Sequence, residues 1–262
     1  MRRSIVLWIL AFLITVASAV YQRLTGPTHP LRGETTVGGV KLRYRLIRSH
    51  GGEGDAPVRV EAADKEIRGT VGWKRHKTRD AWSYAEMRRE GEELVGMLPH
   101  QPPAGKLDYR VILAKSGERV TLAGSPVTIR FKGDVPMPVL VVHVIAMFGG
   151  MLVATRAGLE FWAAQPRYGP LVLWTLGLLF VGGLILGPVV QKYAFGEYWT
   201  GWPFGTDLTD NKTAVAWLAW VAAWFGLRKG ARPGWWVLAA SVVTLVVFAI
   251  PHSLFGSELK YE

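Results

Sequence analysis

The chain contains no cysteine. That excludes disulfides, thiolate zinc sites, haem attachment through cysteine and cysteine nucleophiles, and it leaves the redox compartment open. Common catalytic signatures are also missing: there is no Gly-x-Ser-x-Gly elbow, P-loop, His-Glu-x-x-His or dinucleotide fingerprint. Ser253 follows His252, but adjacency alone does not make a triad. No basic helix or compact Lys/Arg block accompanies the net charge of +11. The charge is therefore read as a solvated surface near anionic headgroups, and nucleic acid is not expected as a partner. The expectation is a non-enzymatic protein, with catalysis left open.

Charge is absent from long stretches of the sequence. Ser4–Tyr21 carries none and follows Arg2 and Arg3. Ala17-Ser18-Ala19 has the small residues of a signal-peptidase site, but the run is also long enough to stay as a signal anchor. The retained helix is the preferred reading. Further apolar runs are Met137–Ala154, Pro170–Val190, Ala214–Leu227 and Gly234–Ile250. Ala214–Leu227 is short unless Lys212 snorkels outwards.

Five spans starting inside place Arg156, Arg167, Arg228, Lys229 and Arg232 in cytoplasmic loops, as the positive-inside rule asks. The same topology puts residues 22–134, the loop 191–213 and the C-terminus outside. Between Tyr21 and Pro136 lie 21 Lys/Arg and 14 Asp/Glu, a density that suits a water-exposed domain. The expected fold is an α-helical membrane bundle of five transmembrane helices with an inserted all-β extracytoplasmic immunoglobulin-like sandwich. Its parts are a signal-anchor helix (1–21), the sandwich (22–134) and a four-helix transmembrane domain (135–262).

The strands of the sandwich are predicted from alternation at Val40–Arg48, Val58–Ala62, Ile67–Arg75, Trp82–Arg89, Glu93–Pro99, Leu107–Lys115, Arg119–Ala123 and Val127–Lys132, separated by turns rich in Gly, Pro, Asp and Ser. Within Gly69–Lys132, an aromatic strand "GTVGWKR", Trp82, Met87 and the run "LPHQPPAGKLDYRV" resemble fibronectin type III or early-set immunoglobulin-like modules. The resemblance implies that Tyr109 is a core tyrosine and that the module binds or spaces without catalysing. The whole chain resembles bacterial multi-spanning membrane proteins with such an outer module, which implies the bacterial cytoplasmic membrane as its location.

The polar candidates gather on the outer side. His143 lies roughly 10 Å into its span, counted at 1.5 Å per residue, and a histidine at that depth is a functional candidate. Its alternative is a hydrogen bond to a neighbouring helix. His252 ends the fifth span on the same side. The loop between the third and fourth spans adds Trp199, Trp202, Asp207 and Asp210. His143, His252, Trp199 and Trp202 are the candidates for haem or quinone, and His143, His252, Asp207 and Asp210 for a metal ion. The acidic pair more naturally caps the fourth helix, where Thr209, Asp210 or Asn211 can accept the free amide protons at its start. "YWTGWPFGTD" is similar to the tryptophan-rich periplasmic loops of cytochrome c assembly proteins, although "PFGT" separates Trp202 from Asp207. The function expected is an accessory or scaffolding subunit that binds a protein partner through the sandwich and the aromatic loop. The alternative is haem, metal or quinone binding at the outer face, for redox chemistry or cytochrome assembly.

Overall fold

A computed structural model describes residues 2–229, 232–251, 258, 259 and 261. The chain divides into two compact units. One combines Met1–Pro27 with Val135–Ser257, and the other combines Thr28–Asp134 with Glu258–Glu262.

The first unit is helical. It holds α1 (Arg2–Thr25), α2 (Met137–Leu159), α3 (Tyr168–Leu179), α4 (Gly187–Phe195), α5 (Leu208–Lys229) and α6 (Pro233–Ala249). A π-helical stretch, Phe180–Leu186, joins α3 to α4 in one continuous rod. Pro188 lacks the N–H that a regular ladder needs, which accounts for irregular bonding just before it. Arg3–Thr25, Met137–Trp162 and Tyr168–Phe195 are long and apolar enough to cross a membrane, and Pro233–Ala249 is a shorter apolar helix. α5 is long, but it begins with Asp210 and Lys212 and ends with Arg228 and Lys229, which dilute its hydropathy. α1 exposes Ile9, Phe12, Leu13 and Val16, a surface suited to a lipid bilayer.

Small residues let these helices approach. A Cβ on Gly158 would stand 2.3 Å from Ser241 Oγ, one on Gly182 2.9 Å from Ala146 Cβ, and one on Gly183 2.5 Å from Thr213 Cγ2. The close-packing pair on this rod is therefore Gly182 and Gly183; Gly187 meets only a carbonyl of its own rod. Of the tryptophans on α5, Trp220 is fully buried and its indole donates to Thr244 Oγ1 at 2.7 Å. Trp217 lies 5.8 Å from Phe180, and Trp224 stacks on Arg228 at 4.2 Å.

The second unit is a β-sandwich. One sheet has the order β1 (Leu31–Val37), β2 (Val40–Leu46), β4 (Ala56–Glu61), β8 (Glu93–Leu98), β7 (Arg88–Glu90). The other has the order β3 (Ser49–Gly51), β11 (Val127–Lys132), β9 (Lys106–Lys115), β5 (Arg68–Arg75), β6 (Ser83–Glu86), and β10 (Glu118–Thr121) also pairs with β9. Pairing is antiparallel except between β3 and β11. Alternate residues such as Val58, Val60, Val71, Leu107, Val111, Ile129 and Phe131 fill the space between the sheets. Tyr109 is buried there and its hydroxyl donates to the Ile47 carbonyl at 2.8 Å. The segment expected as one strand, Trp82–Arg89, is two: Met87 turns into the core between β6 and β7, and the chain changes sheets at that point.

The C-terminal segment packs on the sandwich. Glu258 pairs with Lys106 at 2.5 Å and with Lys77 at 2.7 Å. Tyr261 Oη accepts from the Lys106 amide at 2.8 Å and lies 3.0 Å from both the Lys106 carbonyl and Gln101 Oε1. Burial disfavours charge on Glu258, but the two lysines outweigh it and hold the carboxyl down at about 2.

Candidate functional site

The loop between α4 and α5 is organised around one carboxylate. Asp210 is 5 % exposed. Its Oδ2 accepts from the amides of Thr200 (2.7 Å) and Gly201 (3.0 Å) and from Gln191 Nε2 (3.1 Å). Gln191 Nε2 also donates to Thr200 Oγ1 at 2.8 Å. Asp207 sits just before α5 and accepts the Thr209 amide at 2.7 Å, which satisfies a donor of the first helical turn. Its other oxygen lies 3.2 Å from Thr200 Oγ1. Asn211 accepts the Trp202 amide at 2.7 Å. A Cβ on Gly201 would come within 2.7 Å of Asp210 Cβ and Asn211 Oδ1, so this chain crossing requires glycine. The polar residues of the loop thus bind its own backbone.

The aromatic residues divide. Trp199 is half-buried and donates its indole N–H to the Trp202 carbonyl at 3.1 Å. Trp202 and Phe204 project outwards, 78 % and 83 % exposed, and Tyr198 is also exposed. The loop is therefore a braced platform with an aromatic tip.

Lys212 does not snorkel. It is 5 % exposed and donates to the Ile250 carbonyl at 2.5 Å. Gln22 of α1 donates to the Phe248 carbonyl at 2.8 Å. Together they satisfy carbonyls left open at the C-terminus of α6, where a cation also meets the negative end of the helix dipole. A cavity of about 10 Å³, room for one water, lies between Lys212, Thr213, Met147 and Phe248.

His143 is half-buried, and its Nδ1–H donates to the Gly182 carbonyl in the π stretch at 2.9 Å. The hydrogen bond to a neighbouring helix expected of this residue is present, and it uses one of the two ring nitrogens. His252 lies outside the described residues. Among the described residues no group of three or more His, Asp and Glu side chains is arranged to hold a metal ion. Asp207, Asp210 and Trp199 are engaged within the loop, and Trp202 is left to the surface. Gln191 and Thr200 complete the Asp210 cluster without having been singled out in the sequence. The signal was available for Gln191, an amide close behind the apolar run Pro170–Val190, where a polar side chain needs a partner.

No family model, curated protein or solved structure matches the chain.

Proposed function

We propose that the chain is a non-enzymatic integral membrane protein of five spans, an accessory or scaffolding subunit that binds a protein partner. In this reading α5 and α6 supply the fourth and fifth crossings, and an extracytoplasmic immunoglobulin-like sandwich and the aromatic loop face the partner. One observation carries it: Trp202 and Phe204 stand exposed on a loop whose polar groups are spent on bracing it. Rigid, exposed aromatic side chains lose little entropy on docking and are typical anchors of protein interfaces.

The test is affinity purification from native membranes. The wild-type chain should carry a reproducible, stoichiometric partner. The double variant Trp202→Ala, Phe204→Ala should lose it while keeping its expression level and helix content. A chain that purifies alone, or a double variant that still carries its partner, refutes the reading. Loss of bilayer retention with the partner still bound would make the tip a lipid-interface anchor instead.

A further inference from the structure

The outer face of the five-stranded sheet sorts its charges by row. β1 and β2 pair in the register Glu34↔Arg43 and Arg32↔Arg45, and β2 meets β4 at Tyr44↔Val60. Continued antiparallel register sets Glu61 beside Arg43 and Arg59 beside Arg45. One row therefore reads Glu34–Arg43–Glu61, and the next reads Arg32–Arg45–Arg59. In the mixed row, Glu34 pairs with Arg43 at 3.0 Å. In the cationic row, Glu93 and Glu90 hold Arg59 from its far side at 2.9 and 3.2 Å. Among the described residues, no carboxylate lies within ion-pair distance of Arg32 or Arg45. Like charges directly opposite one another weaken a sheet, and nothing in the fold requires arginine at either exposed position.

The second observation is a concavity at the same place. β2 and β4 share a single bridge, and a groove of about 700 Å³ runs along these rows, with Ile47 and Pro57 as apolar wall. That volume is in the range of small-ligand sites, roughly 300–1,000 Å³. Neighbouring strands are about 4.8 Å apart, so guanidinium forks on two of them can converge on one tetrahedral oxyanion.

We propose that the groove binds the phosphate group of a phosphorylated ligand, with Arg32 and Arg45 as paired forks and Arg59 as a fixed third edge. A phosphate has oxygens for two forks at once, whereas one fork already satisfies a carboxylate. In the mixed row Glu34 is already paired with Arg43 and Lys41, so the cationic row is the more favourable place for an anion. The same chemistry serves a lipid headgroup or a soluble phosphate ester.

The test uses the full chain in neutral detergent, with ionic strength held constant by chloride. Inorganic phosphate, glycerol phosphate and dihexanoyl phosphatidic acid are titrated calorimetrically. Saturable binding is expected, with affinity falling about tenfold or more in Arg32→Gln, Arg45→Gln, the equivalent of one charge-assisted contact. Arg32→Lys, Arg45→Lys should fall between the two, because charge remains and the fork is lost. Arg68→Gln, at an exposed position on β5 of the other sheet, should bind as wild type. The unliganded glutamine variant should melt no lower than wild type, since a repulsion has been removed. Tighter binding of the phosphatidic acid identifies a lipid headgroup as the ligand. Equal or tighter binding of the two soluble probes identifies a free phosphate ester. Absence of saturable binding by all three, or an equal loss in Arg68→Gln, overturns the proposal.

Discussion

Removing the Asp210 carboxylate should release the aromatic loop without unfolding the helices. In Asp210→Ala the amides of Thr200 and Gly201 and one donor of Gln191 lose their shared acceptor. An unsatisfied buried donor costs about 1–3 kcal/mol. Burying the carboxylate carries its own desolvation cost, so the net loss for the loop is about 3 kcal/mol rather than the sum of three charged bonds. At 1.4 kcal/mol per factor of ten, that corresponds to about a 100-fold rise in the opening equilibrium. Hydrogen exchange of the segment 196–207 reads this directly, because exchange follows local opening. The amide of Gly201, buried in the wild type, is the most sensitive reporter. Asp210→Asn keeps an oxygen that can face both backbone amides but loses the charge, so about a tenfold rise is expected. Exchange should stay unchanged in α2 and α6, which do not touch the carboxylate. Exchange in 196–207 that remains within twofold of wild type for Asp210→Ala would refute the claim that this carboxylate organises the loop.

Three further outcomes are expected. Tyr109→Phe removes the hydroxyl bonded to the Ile47 carbonyl and should destabilise the sandwich by about 1–2 kcal/mol in denaturant melts. Glu258 has a folded pKa below the ordinary 4.5, so its contribution is present above about pH 4.5 and is lost as pH falls towards about 2. About a third of its side chain is in water, and screening limits the contribution to about 1 kcal/mol. Glu258→Gln should therefore melt earlier than wild type at pH 7 and with it near pH 2. Gly158→Ala would put a methyl 2.3 Å from Ser241 Oγ and should cost about 1–3 kcal/mol of bundle stability, measured by thermal melting in detergent; the double variant with Ser241→Ala recovers part of it.

Alternation made most of the sandwich legible. β5, β9 and β11 appear within a residue of the spans read from the sequence, because each has one face in the core and one in solvent. β1, with the sequence LRGETTV, was missed: it is an edge strand with few apolar residues, and its pairing with β2 is what defines it. β3 was missed for a related reason, since three residues carry no period and only β11 fixes them. Met87 fitted an alternating strand, yet alternation cannot reveal that the next residue joins the other sheet. In the helical unit, Asp210 and Asn211 were legible as caps and Asp207 and Asp210 as ligands; the carboxylate that accepts a first-turn amide of α5 is Asp207. That Asp210 gathers the amides of Thr200 and Gly201 is a tertiary fact without local signature. The Gly182 carbonyl that accepts from His143 lies 39 residues further along the chain, and no local pattern points to it.

The division of the chain has a consequence for anyone taking the protein apart. The sandwich is inserted between α1 and α2, while the other helices are inserted between Asp134 and the segment that begins at Glu258. Each unit thus interrupts the other, and neither corresponds to one continuous stretch of sequence. A fragment of residues 28–134 alone would expose Lys106, Lys77 and Gln101 without the Glu258 and Tyr261 that meet them. A faithful soluble piece would need residues 258–262 grafted back through a linker. For the same reason, a truncation that removes Glu258 and Tyr261 would be felt at Lys77, Gln101 and Lys106, more than a hundred residues earlier in the sequence.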